Sequence, residues 1–220
     1  MKKLLIFLMF ILTTMSAFSA RYKAPSEKYD FSSWKYETPK GSDIKNLSNY
    51  KNKYFNLGEE GDIVFAINPK TDGVDRNKNL LRSSNTWYVD YDHTLSLNMK
   101  VEVSVGSYEM NIAEIIGIDD SNKDVAPLVK IVAKDNNLYA SVKNSKGTNE
   151  YTQIKEEIGQ KYFTLKLKVE DKKVIVYVDG KEVLEKDVSF WEYKNSFRFG
   201  AYPQTNYGQY KVYVNSFSAY

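Results

Sequence analysis

Residues 195–204 read Asn-Ser-Phe-Arg-Phe-Gly-Ala-Tyr-Pro-Gln, and alternation sorts their chemistry. Laid out as a strand, Phe197, Phe199 and Ala201 share one face, and Arg198, Gly200, Tyr202 and Gln204 share the other. The second face presents a cation, a phenol and an amide around a glycine that leaves space for a ligand. An ordinary solvated face would carry Lys, Glu and Thr instead. Residues 111–120 place Glu114 among Ile112, Ile116 and Ile118, with Ala113, Ile115 and Gly117 opposite. A carboxylate in so apolar a strand must meet a cation or keep its proton. Arg82 follows a basic loop, Arg76-Asn77-Lys78. His93 is the single histidine, so any imidazole base has to be that residue. It opens a strand, and its plain reading is a strand-start histidine.

The elements that position these groups are strands. Residues 93–105 alternate Leu95, Leu97, Met99, Val101, Val103 and Val105 with polar side chains. Phe163, Leu165, Leu167 and Val169 do the same. Glu170-Asp171-Lys172 then turns the chain into residues 174–178, and Asp179-Gly180 is a strong two-residue hairpin signal before Val183-Leu184. Residues 63–67 and 128–133 read as buried strands. The one helix of any weight is expected over residues 43–53. Many short strands with regular turns indicate an all-β sandwich or jelly roll.

Composition excludes several classes. There are 220 residues and no Cys, which removes disulfides, thiolate metal sites and cysteine nucleophiles. A His-rich metal site is excluded too, and neither metal nor cofactor is expected. The net charge is +3, and removing residues 1–20 takes Lys2 and Lys3 but no acid, leaving +1. That balance argues against nucleic acid as a partner. Residues 1–20 carry a basic start, an apolar run from Leu4 to Leu12 and small residues up to Ala20, the layout of a signal peptide. The run is too short for a membrane span. A secreted or periplasmic protein is expected, with residues 21–28 as a polar leader and 29–220 as one domain, a monomer. Eighteen Tyr, eleven Phe and three Trp suit a surface that stacks on sugars.

Five segments, in order, resemble the alginate lyases of polysaccharide lyase family seven. Asp30-Phe31-Ser32-Ser33-Trp34-Lys35 is similar to the opening D-L-S-N-W-K of that family. Arg82-Ser83-Ser84 aligns with its R-S/T-E-L-R segment. Ala113-Glu114-Ile115-Ile116-Gly117 aligns with its Q-I/V-H-G strand, and Pro127-Leu128-Val129-Lys130-Ile131 with the strand that follows. Residues 196–204, SFRFGAYPQ, match Y-F-K-A-G-x-Y-x-Q. The resemblance implies a β-jelly roll, a concanavalin-like sandwich of two curved antiparallel sheets, with an acidic polysaccharide or oligosaccharide on its concave face.

It also implies β-elimination. A base takes the C5 proton, donors neutralise the uronate carboxylate, and an acid protonates the departing O4. Carried over by position, Arg82 is the carboxylate-binding arginine, Arg198 stands for the family's lysine, Tyr202 for its catalytic tyrosine, and Gln204 for its closing glutamine. Lys130 and Trp87 complete the expected substrate contacts. The family's glutamine position holds Glu114 and its histidine position Ile116, while Ser84 and Thr86 replace a glutamate and a second arginine. A histidine base is therefore unavailable, and Tyr202 serves as base and then acid, with Arg82, Arg198 and Glu114 around the carboxylate. The alternative is a non-catalytic carbohydrate-binding protein using aromatics such as Trp87, Tyr88, Tyr91 and Tyr207. A glycosidase pair of Glu114 and Asp120 would lie ~20 Å apart along one strand, against the ~5–9.5 Å that chemistry needs.

Overall fold

The computed structural model of the protein describes residues 22–72, 78–104 and 108–220. The expected signal peptide, Arg21, Arg76, Asn77 and Val105 lie outside the described residues. The chain forms β1 (Trp34–Glu37), β2 (Asp43–Ile44), β3 (Phe55–Leu57), β4 (Ile63–Ile67) and β5 (Asn79–Ser83). There follow β6 (His93–Val103), β7 (Glu109–Ile118), β8 (Asp124–Lys134), β9 (Asn137–Lys143) and β10 (Asn149–Lys155). The last five are β11 (Phe163–Glu170), β12 (Lys173–Val178), β13 (Lys181–Asp187), β14 (Lys194–Pro203) and β15 (Tyr210–Ala219).

These build two antiparallel sheets, one ordered β10-β9-β8-β7-β14-β5-β1-β2 and the other β13-β12-β11-β6-β15-β4-β3. This is the jelly-roll sandwich that the strand pattern implies. Both short turns read from the sequence are present. Asp171 (φ 49°) and Lys172 (φ 58°) join β11 to β12, and Asp179 (φ 50°) and Gly180 (φ 78°) join β12 to β13. Two consecutive positive φ angles match the right-handed twist of the flanking strands.

The core lies between the sheets. Phe197, Phe199 and Ala201 of β14, Leu81 of β5 and Ile115 of β7 are buried there against Leu95, Leu97, Leu165 and Val212 of the other sheet. Phe199 meets Trp34 edge-on at 5.1 Å and Phe65 at 5.9 Å between centroids. Deleting such a ring costs about 3–5 kcal/mol, so the alternation of β14 is firmly held. Its odd-numbered residues face inward and Arg198 faces away from the second sheet.

Two expectations are corrected. Residues 43–53 are not a helix: β2 pairs with β1, and the rest is loop. Leu47 is buried, Tyr50 packs on Tyr36 and Phe55, and the Asn52 side chain accepts from the backbone N–H groups of Tyr54 and Phe55. The space beside Gly200 is not left for a ligand. Gly200 has φ 141°, and a Cβ there would stand 2.4 Å from the Asn79 carbonyl oxygen and 3.0 Å from Phe65. The glycine admits the backbone of β5, next to a register shift between Phe199 and Tyr202.

Candidate active site

Strand register carries one row of side chains across the outer face of the eight-stranded sheet. Lys35 of β1 pairs with Arg82 of β5, Arg82 with Arg198 of β14, and Arg198 with Glu114 of β7. Glu114 pairs with Lys130 of β8, Lys130 with Ser141 of β9, and Ser141 with Tyr151 of β10. Directly opposed residues share a face, so seven strands place this row on one surface. Four predicted site residues, Arg82, Arg198, Glu114 and Lys130, are thereby neighbours.

The two arginines converge. Arg198 Nη2 donates to Glu37 Oε1 at 2.9 Å, and Arg82 Nη1 reaches the same oxygen at 3.3 Å. Asp124 spans both guanidinium groups, accepting from Arg82 Nη1 through Oδ1 at 2.6 Å and from Arg198 Nη2 through Oδ2. Arg198, Glu37 and Arg82 are buried, whereas the Asp124 side chain keeps 33% of its surface in solvent. Burial works to raise the Asp124 pKa, but Arg198 and Arg82 outweigh it and hold the carboxyl below its ordinary value.

Glu114 stands differently. It is almost fully buried, and its Oε2 lies 3.7 Å from Arg198 Nη1, beyond hydrogen-bond length. Oε1 accepts from Asn111 Nδ2 at 2.8 Å. Burial raises its pKa above 4.5, partly opposed by Arg198, Asn111 and Lys78. The two guanidinium groups thus face the carboxyl groups of Glu37 and Asp124 at close range and that of Glu114 at longer range. Glu37 Oε2, Asn111 Oδ1 and Arg198 Nε are buried without a hydrogen-bond partner among the described residues.

Tyr202 is half-buried on the same strand as Arg198 and pairs across the ladder with Asn111. Asn111 therefore links Tyr202's position to Glu114. Lys78 Nζ lies 5.7 Å from the centre of the Tyr202 ring. Gln204 is exposed just beyond β14 and donates from Nε2 to the Tyr202 carbonyl at 3.0 Å. Lys130 Nζ reaches toward the Tyr151 hydroxyl at 3.5 Å, and that ring is exposed.

The structure does not bring Trp87 to this face. It is buried with its ring stacked on His93 at 4.6 Å and packed on Phe197 at 5.0 Å, and its backbone bridges to Asn195. Neither ring face is open to a sugar. His93 opens β6, its pKa lowered by burial against the opposing effects of Tyr220 and Asp92. Ile116 is buried. Sequence reasoning missed Glu37, Asp124 and Asn111. The Lys35/Glu37 alternation marked Glu37 for this face; nothing local marked Asp124.

A family model described as alginate lyase matches residues 29–219. A crystal structure of the family 7 alginate lyase A1-II′ in complex with substrate (GGMG) is 25% identical, with a TM-score of 0.80 over 90% of this chain and 96% of that one. Alginate lyase AlyC3 in complex with dimannuronate is 15% identical, with a TM-score of 0.76 over 92% and 96% of the two chains. The alginate lyase from Klebsiella pneumoniae is 16% identical, with a TM-score of 0.71 over 90% and 98%. No curated protein sequence matches.

Proposed function

The chain belongs to the alginate lyase family, and from that premise we propose that it cleaves a uronate polysaccharide of the alginate class by β-elimination. The observation that carries the reading is the juxtaposition of Arg82, Arg198 and Glu114 on one row, with Tyr202 further along the same strand. The guanidinium groups of Arg82 and Arg198 hold the C6 carboxylate of the sugar. Glu114, where burial favours the protonated form, donates to it, doing the work of a neutral amide. Concentrating donors on that carboxylate lowers the energy of the carbanion formed when C5 loses its proton.

Tyr202 takes that proton. The electron pair left at C5 becomes the C4–C5 double bond, the C4–O4 bond breaks, and Tyr202 returns the proton to O4. A free phenol has a pKa of about 10, so the base needs cations beside it. Lys78, on the Tyr202 ring, supplies one, and Arg198, four residues earlier in β14, adds its charge along the same strand. Ile116 leaves no imidazole to share the task. The signal-like start supports export, so the polymer is met outside the cytoplasm.

Incubation of the purified protein with alginate, glucuronan, hyaluronan and heparinoids, followed by ultraviolet absorbance of unsaturated ends, tests the reading. Unsaturated product from alginate or a related polyuronate supports it. Oligosaccharide binding with no unsaturated product from any of them overturns catalysis and leaves a binding protein.

A further inference from the structure

The arginine pair assigned to the substrate carboxylate already holds a carboxylate of the protein. Asp124 spans Arg82 and Arg198 with one oxygen on each, the two-point grip that guanidinium groups offer a uronate. Its counterpart Glu37 touches the same arginines but is 8% exposed, against 33% for Asp124. Asp124 is on the solvent side, the first residue of β8, preceded by the exposed turn of Asp119, Ser121, Asn122 and Lys123. Asn122 has φ 59°, and that turn holds itself through Asp119 rather than through the sheet below. A carboxylate arriving from solvent therefore meets Asp124 before Glu37.

Charge balance supports exchange over addition. Two guanidinium groups are already matched by two carboxyl groups, Glu37 and Asp124. A third carboxylate added at the same donors would have to share two guanidinium groups that already hold two carboxyl groups, a costly arrangement. A third carboxylate that replaces Asp124 leaves that match unchanged.

We infer that Asp124 is an internal competitor for the substrate carboxylate: it occupies the Arg82–Arg198 site in the free protein and must swing out as a uronate enters. This rests on the assignment of the two arginines to substrate. The consequence is selectivity. A single carboxylate on a small acid gains nothing by replacing an equivalent one, whereas a polyuronate gains the contacts of its neighbouring sugars. The apparent affinity is reduced by the fraction of molecules with Asp124 withdrawn, so if about one in ten is open the penalty is about tenfold.

The test compares wild type, Asp124→Asn, Asp124→Ser and Arg82→Lys on alginate oligomers, with near-ultraviolet circular dichroism to confirm folding. Expected is a KM about tenfold lower in both Asp124 variants with kcat little changed, and a higher KM in Arg82→Lys. Higher KM in Arg82→Lys with KM unchanged or raised in the Asp124 variants overturns the competitor role alone. KM indifferent to all three overturns the assignment of the arginines as well. A measurement on the native Asp124 guards against misfolded variants. In Tyr202→Phe protein labelled with 13C-aspartate, saturation with alginate trimer should move the Asp124 carboxyl signal to that of a solvated aspartate, and a stationary signal overturns the proposal.

Discussion

Replacing Glu114 with Gln should remove a pH dependence that the wild-type protein carries. The carboxyl is 2% exposed, its Oε1 accepts one hydrogen bond from Asn111, and its Oε2 stops 3.7 Å short of Arg198. Burial is the dominant influence and raises its pKa above the ordinary 4.5. The sign follows from proton counts. Between 4.5 and the raised value the folded state binds more protons at Glu114 than the unfolded state, so stability falls as pH rises. Within that window the slope approaches about 1.4 kcal/mol per pH unit, and above it the full cost of the buried charge persists. Gln keeps the acceptor for Asn111, carries no charge and loses only a long ion pair. The variant should therefore match wild type below pH 4.5 and exceed it progressively at higher pH. Urea melts of both proteins across the acid-to-neutral range read this directly, because the difference cancels every other carboxylate. Wild-type cleavage should decline as Glu114 loses its proton, and Glu114→Gln should cleave without that decline. Parallel stability curves would refute the reasoning. So would a variant destabilised by 3–5 kcal/mol at neutral pH, the signature of breaking an essential buried pair.

The remaining predictions concern packing and register. Gly200→Ala puts a methyl 2.4 Å from the Asn79 carbonyl oxygen at a φ of 141°, so β14 must shift. A loss of about 2 kcal/mol or more is expected in denaturant melts, together with lost activity, since Tyr202 rides on the same strand. Trp87→Ala should lower stability by about 3–5 kcal/mol and, in the folded fraction, leave KM unchanged, because the ring is walled in by His93 and Phe197. A raised KM at undiminished stability would return Trp87 to the sugar face.

What the sequence discloses divides by range. The alternation of β14 predicts the inward Phe197 and Phe199, because a two-residue period needs only neighbours along one strand. The hairpin at Asp179-Gly180 is legible for the same reason. Residues 43–53 mislead because Ile44, Leu47 and Tyr50 recur every three positions, close to helical spacing. In the structure that spacing serves a loop laid over Tyr36 and Phe55, held by the Asn52 side chain. In the site, Arg82 and Arg198 meet because β5 and β14 pair in register, which the resemblance implied and the pairing supplies. Asp124 joins them across 74 positions of sequence by way of register shifts in the β7–β8 ladder. No local pattern encodes such a contact. Asn111 reaches Glu114 because a register shift between Asn111 and Ala113 displaces strict alternation, which had put Ile112 beside that carboxylate. Trp87 shows the limit of composition: a count of aromatics does not distinguish a ring stacked in the core from one offered to sugar.

The most direct measurement is the initial rate of unsaturated-end formation from alginate by wild type and Tyr202→Phe at equal concentration, with oligomer affinity measured in parallel. Phe keeps the ring beneath Lys78 and removes the only group assigned to either proton transfer. Each transfer contributes about 10²–10⁴-fold, so the rate should fall by at least about 10²-fold while affinity changes by no more than about one hydrogen bond, ~0.5–1.5 kcal/mol. Cleavage by Tyr202→Phe at the wild-type rate would contradict the account and move the search for the base to Glu114.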